Sequence, residues 1–152
     1  MSVEACRIGG WRGILLTQFP EQLPARLPGN LRAFEYVPFS SVLPRSAALV
    51  HHGGIGTTAQ ALAAGVPQLV VPFAHDQPDN AVRVRRLGVG DFLRPRRYNT
   101  GAVGATLKRL LGAAAVRENC RQRASDLAGA KPLDNACDLI EGAGGGRIMY
   151  DF

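Results

Sequence analysis

Residues 47–80, AALVHHGGIGTTAQALAAGVPQLVVPFAHDQPDN, decide the fold. Ala47–His51 is a short apolar run of the kind that forms a strand covered on both faces. The glycines at 53, 54 and 56 break it, and Thr57–Ala64 then follows with helical composition until Gly65 and Pro67 stop it. Gln68–Pro72 is a second apolar run. Strand, glycine turn, helix, glycine stop and strand in that order make a parallel crossover unit.

Working outward, the same alternation continues. Gly13–Thr17 (GILLT) and Leu31–Tyr36 (LRAFEY) read as earlier strands, joined by FPEQLPARLPGN, whose prolines make it a loop. Pro38–Arg45 can form no more than a short helical turn, because Pro44 breaks it. Downstream, Asp79–Leu87 places apolar residues at helical spacing among arginines and ends at Gly88, as a surface helix does. A short strand fits Val89–Leu93, and helices fit 100–111, 113–128 and 133–141, with Thr100 a capping candidate. Residues 1–10 read as the end of a helix, so the expected architecture is α/β: a Rossmann-like parallel sheet with flanking helices, lacking its first strand. The domain is expected to span 1–141, with 142–152 a flexible tail.

Composition agrees with a single globular unit. The chain has 152 residues, 46% hydrophobic and 20% charged, with mean hydropathy −0.01, which fits one core and excludes disordered or fibrous classes. No apolar run is long enough for a membrane helix, and the first residues lack the apolar region of a secretory signal, so a cytoplasmic location is expected. Cys6, Cys120 and Cys137 are odd in number and show no ligand spacing, and are read as free reduced thiols. The net charge of +6 suits an anionic partner. Six arginines fall between Arg83 and Arg97, but no aromatic interleaving or nucleic-acid module accompanies them, and nucleic acid is not expected as a partner.

The chemistry gathers in the two loops that follow Ala47–His51 and Gln68–Pro72. In open parallel sheets ligands bind beyond the carboxyl ends of the strands, so both loops should face one crevice. In the first, His52, Gly54, Gly56, Thr57 and Thr58 combine close backbone approach, the positive end of a helix, hydroxyl donors and an imidazole. That is an anion site suited to phosphate, the alternative being that the glycines only permit a sharp strand-to-helix turn and the threonines only cap the helix. In the second, Asp76 and Gln77 offer acceptors and donors suited to neighbouring sugar hydroxyls, although Asp76 or Asp79 could equally cap the helix that follows. A metal held by His51, His52 and His75 is disfavoured, because adjacent histidines on a strand point to opposite sides. No serine or cysteine occupies a nucleophile turn.

The run from Tyr36 to Gly90, VPFSSVLPRSAALVHHGGIGTTAQALAAGVPQLVVPFAHDQPDNAVRVRRLGVG with Tyr36 before it, resembles the donor-binding signature of the UDP-glucuronosyl/UDP-glucosyltransferase superfamily, in its bacterial antibiotic, sterol and rhamnolipid branch. The resemblance implies the C-terminal lobe of a two-lobed GT-B enzyme. It assigns His52, Gly54, Gly56 and Thr57 to the donor diphosphate, and Asp76 and Gln77 to the transferred sugar. Tyr36 and Val37 fall where the family stacks on and reads the base, and Gln60 stands where many members bind ribose hydroxyls through a glutamate. Tyr36 in place of tryptophan and Phe39 in place of glutamine leave UDP and dTDP both open as the nucleotide.

The function so implied is inverting transfer of a hexose from a nucleotide sugar to a hydroxyl of a small-molecule or lipid acceptor, with no metal or other cofactor required. The catalytic base is expected in an N-terminal acceptor lobe absent from this sequence, so the chain alone should be weakly active or inactive. Two other readings remain. Gly54–Ala59 fits GxGxxA with Asp76 about twenty residues on, as in a NAD-dependent oxidoreductase domain. Against it, two strands precede the crossover unit that holds the glycines, and Asp76 lies beyond the strand end. The other is a nucleotide-binding or interaction module without chemistry.

Overall fold

The computed structural model describes residues 1–130 and 132–144. Helix α1 (Ser2–Gly9) stops at Gly10, whose φ of 67° is the left-handed cap that glycine adopts without strain. β1 (Gly13–Leu16) and β2 (Leu31–Phe34) pair in parallel, Gly13 opposite Leu31 through Leu16 opposite Phe34. The proline-rich link between them contains a single 3-10 turn at Pro20–Gln22. Asn30 anchors its far end, donating from Nδ2 to the Trp11 carbonyl at 2.6 Å.

After a short α2 (Phe39–Val42) and a 3-10 turn at Leu43–Arg45 come β3 (Leu49–His51), α3 (Ile55–Ala63), β4 (Gln68–Val70), α4 (Gln77–Arg86) and β5 (Gly90–Phe92). These strands form a second parallel ladder in the order β3-β4-β5. α5 (Thr100–Gly112), α6 (Ala114–Gly129) and α7 (Pro132–Gly144) complete the described chain. The expected parallel strands with flanking helices are present, laid out as two ladders.

β4 sits at the centre of the three-stranded ladder, and every residue from Val66 to Pro72 is buried. On one side Leu69 packs with Ala5, Val103, Leu107 and Leu110, which ties α1 and α5 to the sheet. On the other, Val70 packs with Ala81, Val84, Val89 and Cys120 from α4 and α6. Burial of this kind stabilises by about 1.5–3 kcal/mol for each large aliphatic side chain. The Cys120 thiol donates to the Val89 carbonyl, and burial pushes its pKa up to about 11. All three cysteines are free.

Several boundaries differ from those read in the sequence. The second strand ends at Phe34 instead of Tyr36, so Tyr36 and Val37 stand in the loop after it. α3 begins at Ile55, two residues before the expected start, because Gly54 serves as its N-cap and Gly56 is admitted to its first turn. α4 begins at Gln77 instead of Asp79, with Pro78 in the first turn, where a missing N–H costs nothing. Asn99, not Thr100, caps α5: its Oδ1 accepts the Ala102 N–H at 2.9 Å. Residues 142–144 extend α7, and the rest of the expected tail lies outside the described residues. No described helix is long and apolar enough to cross a membrane.

Candidate functional site

The parallel register brings the carboxyl ends of β3 and β4 side by side, His51 opposite Val70. The turn His52–Gly54 and the loop Val71–Asp76 therefore leave the sheet together. Gly53 has φ 94°, and a Cβ there would lie 2.6 Å from Val70 Cγ1 and 3.3 Å from the Gln77 carbonyl oxygen. Only glycine lets the first turn press against the strand end and helix start of its neighbour. Asn80, 7% exposed on α4, closes the contact by donating from Nδ2 to the Gly53 carbonyl at 2.9 Å.

A strut inside the fold supports the turn. The Gly53 N–H donates to His51 Nδ1 at 3.2 Å, so the ring proton resides on Nε2, which donates to Gln68 Oε1 at 3.0 Å. Gln68, fully buried, reaches on with its amide toward the Thr58 carbonyl. Burial holds the His51 pKa down to about 4, with the Gln68 bond opposing and the neighbouring His52 assisting. His51 is thus a neutral structural imidazole at neutral pH. His52 diverges from it: the ring is exposed and lies over Gly54, where a Cβ would stand 2.8 Å from Nε2.

The N-terminus of α3 opens beside that ring. No side chain caps Gly54, so the first-turn N–H groups of Ile55, Gly56 and Thr57 are left for solvent or a ligand. Gly56 is exposed, with nothing within 4 Å of a Cβ. Thr57 is partly exposed, whereas Thr58 is buried and donates its hydroxyl back to the Gly54 carbonyl at 3.0 Å. Thr58 therefore braces the turn from inside, and the other expected phosphate groups sit at its surface.

Across the crevice, Gln77 Oε1 accepts the N–H groups of Phe73 at 2.8 Å and Ala74 at 3.2 Å, fixing the loop. His75 takes the strained left-handed conformation, φ 57°. Asp76 makes no side-chain cap; its Oδ2 accepts from Asn80 Nδ2 at 2.8 Å and the residue is exposed. Asp79 is engaged by Arg83 at 2.7 Å on the outer face of α4. Asp76 and Gln77 thus stand beside the His52–Gly54 turn, Asp76 joined to it through Asn80 and Gln77 by its approach to Gly53.

The remaining candidates lie on its flank. Gln60 Nε2 reaches the Gly56 carbonyl at 3.4 Å and lines a groove of about 260 Å³ with Phe39, Leu43, Pro44, Ala63 and Ala64. Tyr36 is 76% exposed, and Val37 is partly buried. A second cavity, about 390 Å³, opens at the amino ends of β3 and β4 between Ser46, Pro67, Arg117 and Arg121, away from all of these residues. The arginines after Arg83 are dispersed in use: Arg83 pairs with Asp79, and Arg85 lies over the Phe92 ring at 4.6 Å.

Sequence reasoning did not single out Asn80 or Gln68. The signal for Gln68 was a polar residue opening an otherwise apolar run; that for Asn80 was its place one helical turn beyond Asp76.

The erythromycin biosynthesis protein CIII-like, C-terminal domain family matches residues 14–141. O-mycaminosyltylonolide 6-deoxyallosyltransferase of Streptomyces fradiae is 39% identical over 141 residues, which are 92% of this chain and 32% of that protein. Among solved structures, the glycotransferase of kitacinnamycin superposes with a TM-score of 0.81 at 29% identity, over 92% of this chain and 37% of that one. Glycosyltransferase VinC, solved in complex with dTDP, gives 0.76 at 27% identity, over 88% and 34%. The chain thus spans about a third of the length of the relatives it matches. Nothing in them supports the oxidoreductase reading. With the family model covering most of the sequence, the chain belongs to the erythromycin biosynthesis protein CIII-like C-terminal domain family and has the C-terminal-lobe fold of GT-B glycosyltransferases.

Proposed function

We propose that this chain is the donor-binding lobe of an inverting glycosyltransferase that transfers a deoxyhexose from a dTDP-sugar to a hydroxyl of a small-molecule acceptor. The observation that supports the reading is the Asn80 bridge, which joins the turn carrying His52 and the uncapped start of α3 to Asp76 at the start of α4. An anion site beside a hydroxyl-binding pair is what a sugar diphosphate requires. dTDP is favoured over UDP because VinC is solved with dTDP and another relative is a TDP-daunosamine transferase. A deoxyhexose is favoured by the deoxyallosyl- and deoxyfucosyltransferase relatives.

In this mechanism the acceptor oxygen bonds to the anomeric carbon as the bond from that carbon to the diphosphate oxygen breaks. The electron pair leaves on the diphosphate, and the acceptor proton passes to a base. His52 and the first-turn N–H groups of α3 offset the charge growing on the leaving group, the task of an oxyanion site. Gly54, Gly56 and Thr57 hold the diphosphate, Thr58 braces their turn, and Asp76 and Gln77 hold the sugar hydroxyls. Tyr36 stacks on the base while the Val37 backbone reads its edge, and Gln60 serves the furanose hydroxyl. With those donors on the diphosphate, binding is expected to need no metal. The acceptor and the base that deprotonates it come from residues outside this chain, so the chain alone should transfer little or no sugar.

Calorimetric titration with dTDP, UDP and NAD, repeated with His52→Ala and with a chelator present, tests the reading. Saturable binding of dTDP that the chelator leaves unchanged and His52→Ala weakens about tenfold or more supports it. Binding of NAD in preference to either diphosphate overturns it.

A further inference from the structure

The two halves of the crevice share one side chain. Asn80 has a single amide nitrogen with two hydrogens, and both are used: one goes to the Gly53 carbonyl at 2.9 Å, the other to Asp76 Oδ2 at 2.8 Å. The side chain is 7% exposed, so neither hydrogen has water as a ready substitute. Gly53 belongs to the turn that carries His52 and caps α3; Asp76 belongs to the loop after β4.

We infer that Asn80 is a positioning residue that couples diphosphate binding to sugar binding; the inference rests on the donor-site reading above. In a trans peptide the carbonyl and the following N–H point in opposite directions. Holding the Gly53 carbonyl toward α4 therefore turns the Gly54 N–H away from α4, and that N–H has no protein acceptor among the described residues. It joins the first-turn N–H groups of α3 as a donor for the diphosphate. On the other side, Asn80 engages only Oδ2 of Asp76 and fixes the carboxylate, which leaves Oδ1 to accept from a sugar hydroxyl. A bound diphosphate that orders the Gly53–Gly54 peptide orders Asp76 as well, and the reverse holds equally, because coupling between sites is reciprocal.

The test compares dTDP with dTDP-glucose, the ratio of their affinities being the sugar's increment. Wild type, Asn80→Ala, Asn80→Ser and Asp76→Ala are titrated, with thermal melts as a check on folding. Asp76→Ala should remove the sugar increment and leave dTDP affinity within about twofold of wild type. Asn80→Ala should do both, weakening dTDP about tenfold and removing the increment. Asn80→Ser, with one donor hydrogen in place of two, should lose one of the two effects and keep the other, which gives a reading should the alanine variant not fold. Loss of general stability moves melts without splitting dTDP from dTDP-glucose in this pattern.

Unchanged dTDP affinity in Asn80→Ala, or a sugar increment that survives in it, overturns the inference, while wild-type dTDP binding leaves the donor-site reading intact. Failure of wild type to bind dTDP and UDP overturns the donor-site reading, and the inference with it.

Discussion

The two parallel ladders of this chain are built alike and buried unlike. In β3-β4-β5 the central strand is fully buried, with α1 and α5 on one face and α4 and α6 on the other. In β1-β2 the register puts Ile14, Leu16, Arg32 and Phe34 on one face, and all four are exposed, Phe34 by 45%. Parallel ladders draw their stability from helices on both faces. The ladder that has that cover also carries the His52–Gly54 turn, the loop after β4 and the Asn80 bridge between them. β1-β2 contributes to the candidate site only through the loop after β2, where Tyr36 and Val37 stand. Rigidity and candidate chemistry thus coincide in one region, and substitutions should divide along the same line.

Gly53→Ala should have the largest effect. The left-handed backbone, the 2.6 Å approach to Val70 Cγ1 and the 3.3 Å approach to the Gln77 carbonyl leave no room for a methyl group. We expect a loss of at least about 2 kcal/mol in urea denaturation together with dTDP binding. A variant of wild-type stability would show that the contact between the two loops yields easily.

His51 sets the next effect. Its folded pKa of about 4 lies below the ordinary imidazole value of 6.5, so the unfolded chain takes up the proton first as pH falls. The contribution is fully present above about pH 6.5 and lost as pH falls toward 4, at most about 3 kcal/mol over that window. Denaturation midpoints at about pH 7 and about pH 4.5 should diverge in wild type and converge in His51→Asn, the carboxylate contribution being common to both. Equal divergence would mean the imidazole titrates normally in the fold.

Gly56→Ala sharpens the comparison within the turn itself. With open space around its Cβ and a place in the first turn of α3, alanine should stabilise by about 0.5–1 kcal/mol. The same substitution should weaken dTDP if the diphosphate lies against this backbone, which separates a glycine kept for the ligand from Gly53, kept for the fold.

The smallest effect is expected on the other ladder. Leu16, 39% exposed, should tolerate serine with a change of about 0.5 kcal/mol or less in the same denaturation assay, and with dTDP affinity unaltered. A larger loss would show that the exposed face of β1-β2 is bound into the core after all.

Much of this was legible before any coordinates. Local signals are strong where a segment's own backbone demands them: glycines at 53, 54 and 56, the stop at Gly65 and the mostly apolar Gln68–Pro72 mark a parallel crossover by composition alone. That the turn after β3 and the loop after β4 leave the sheet side by side followed from strand polarity, because loops after parallel neighbours emerge at the same end. What the chain could not declare locally was which polar groups turn inward. Thr57 and Thr58 are the same residue type side by side, yet helical periodicity buries the second against the Gly54 carbonyl and leaves the first partly exposed. His51 and His52 are likewise the same residue type side by side and differ in setting, one a largely buried neutral brace and the other exposed. Asn80 acquires its importance only when β3 and β4 set the Gly53 carbonyl and the Asp76 carboxylate within reach of one amide, a contact across 27 residues that no local pattern encodes. Sequence determined the elements, their order and the chemical inventory of the crevice. Tertiary structure decided which of those groups hold the site together and which are left free to bind, because burial and hydrogen-bond partners are properties of the packed chain.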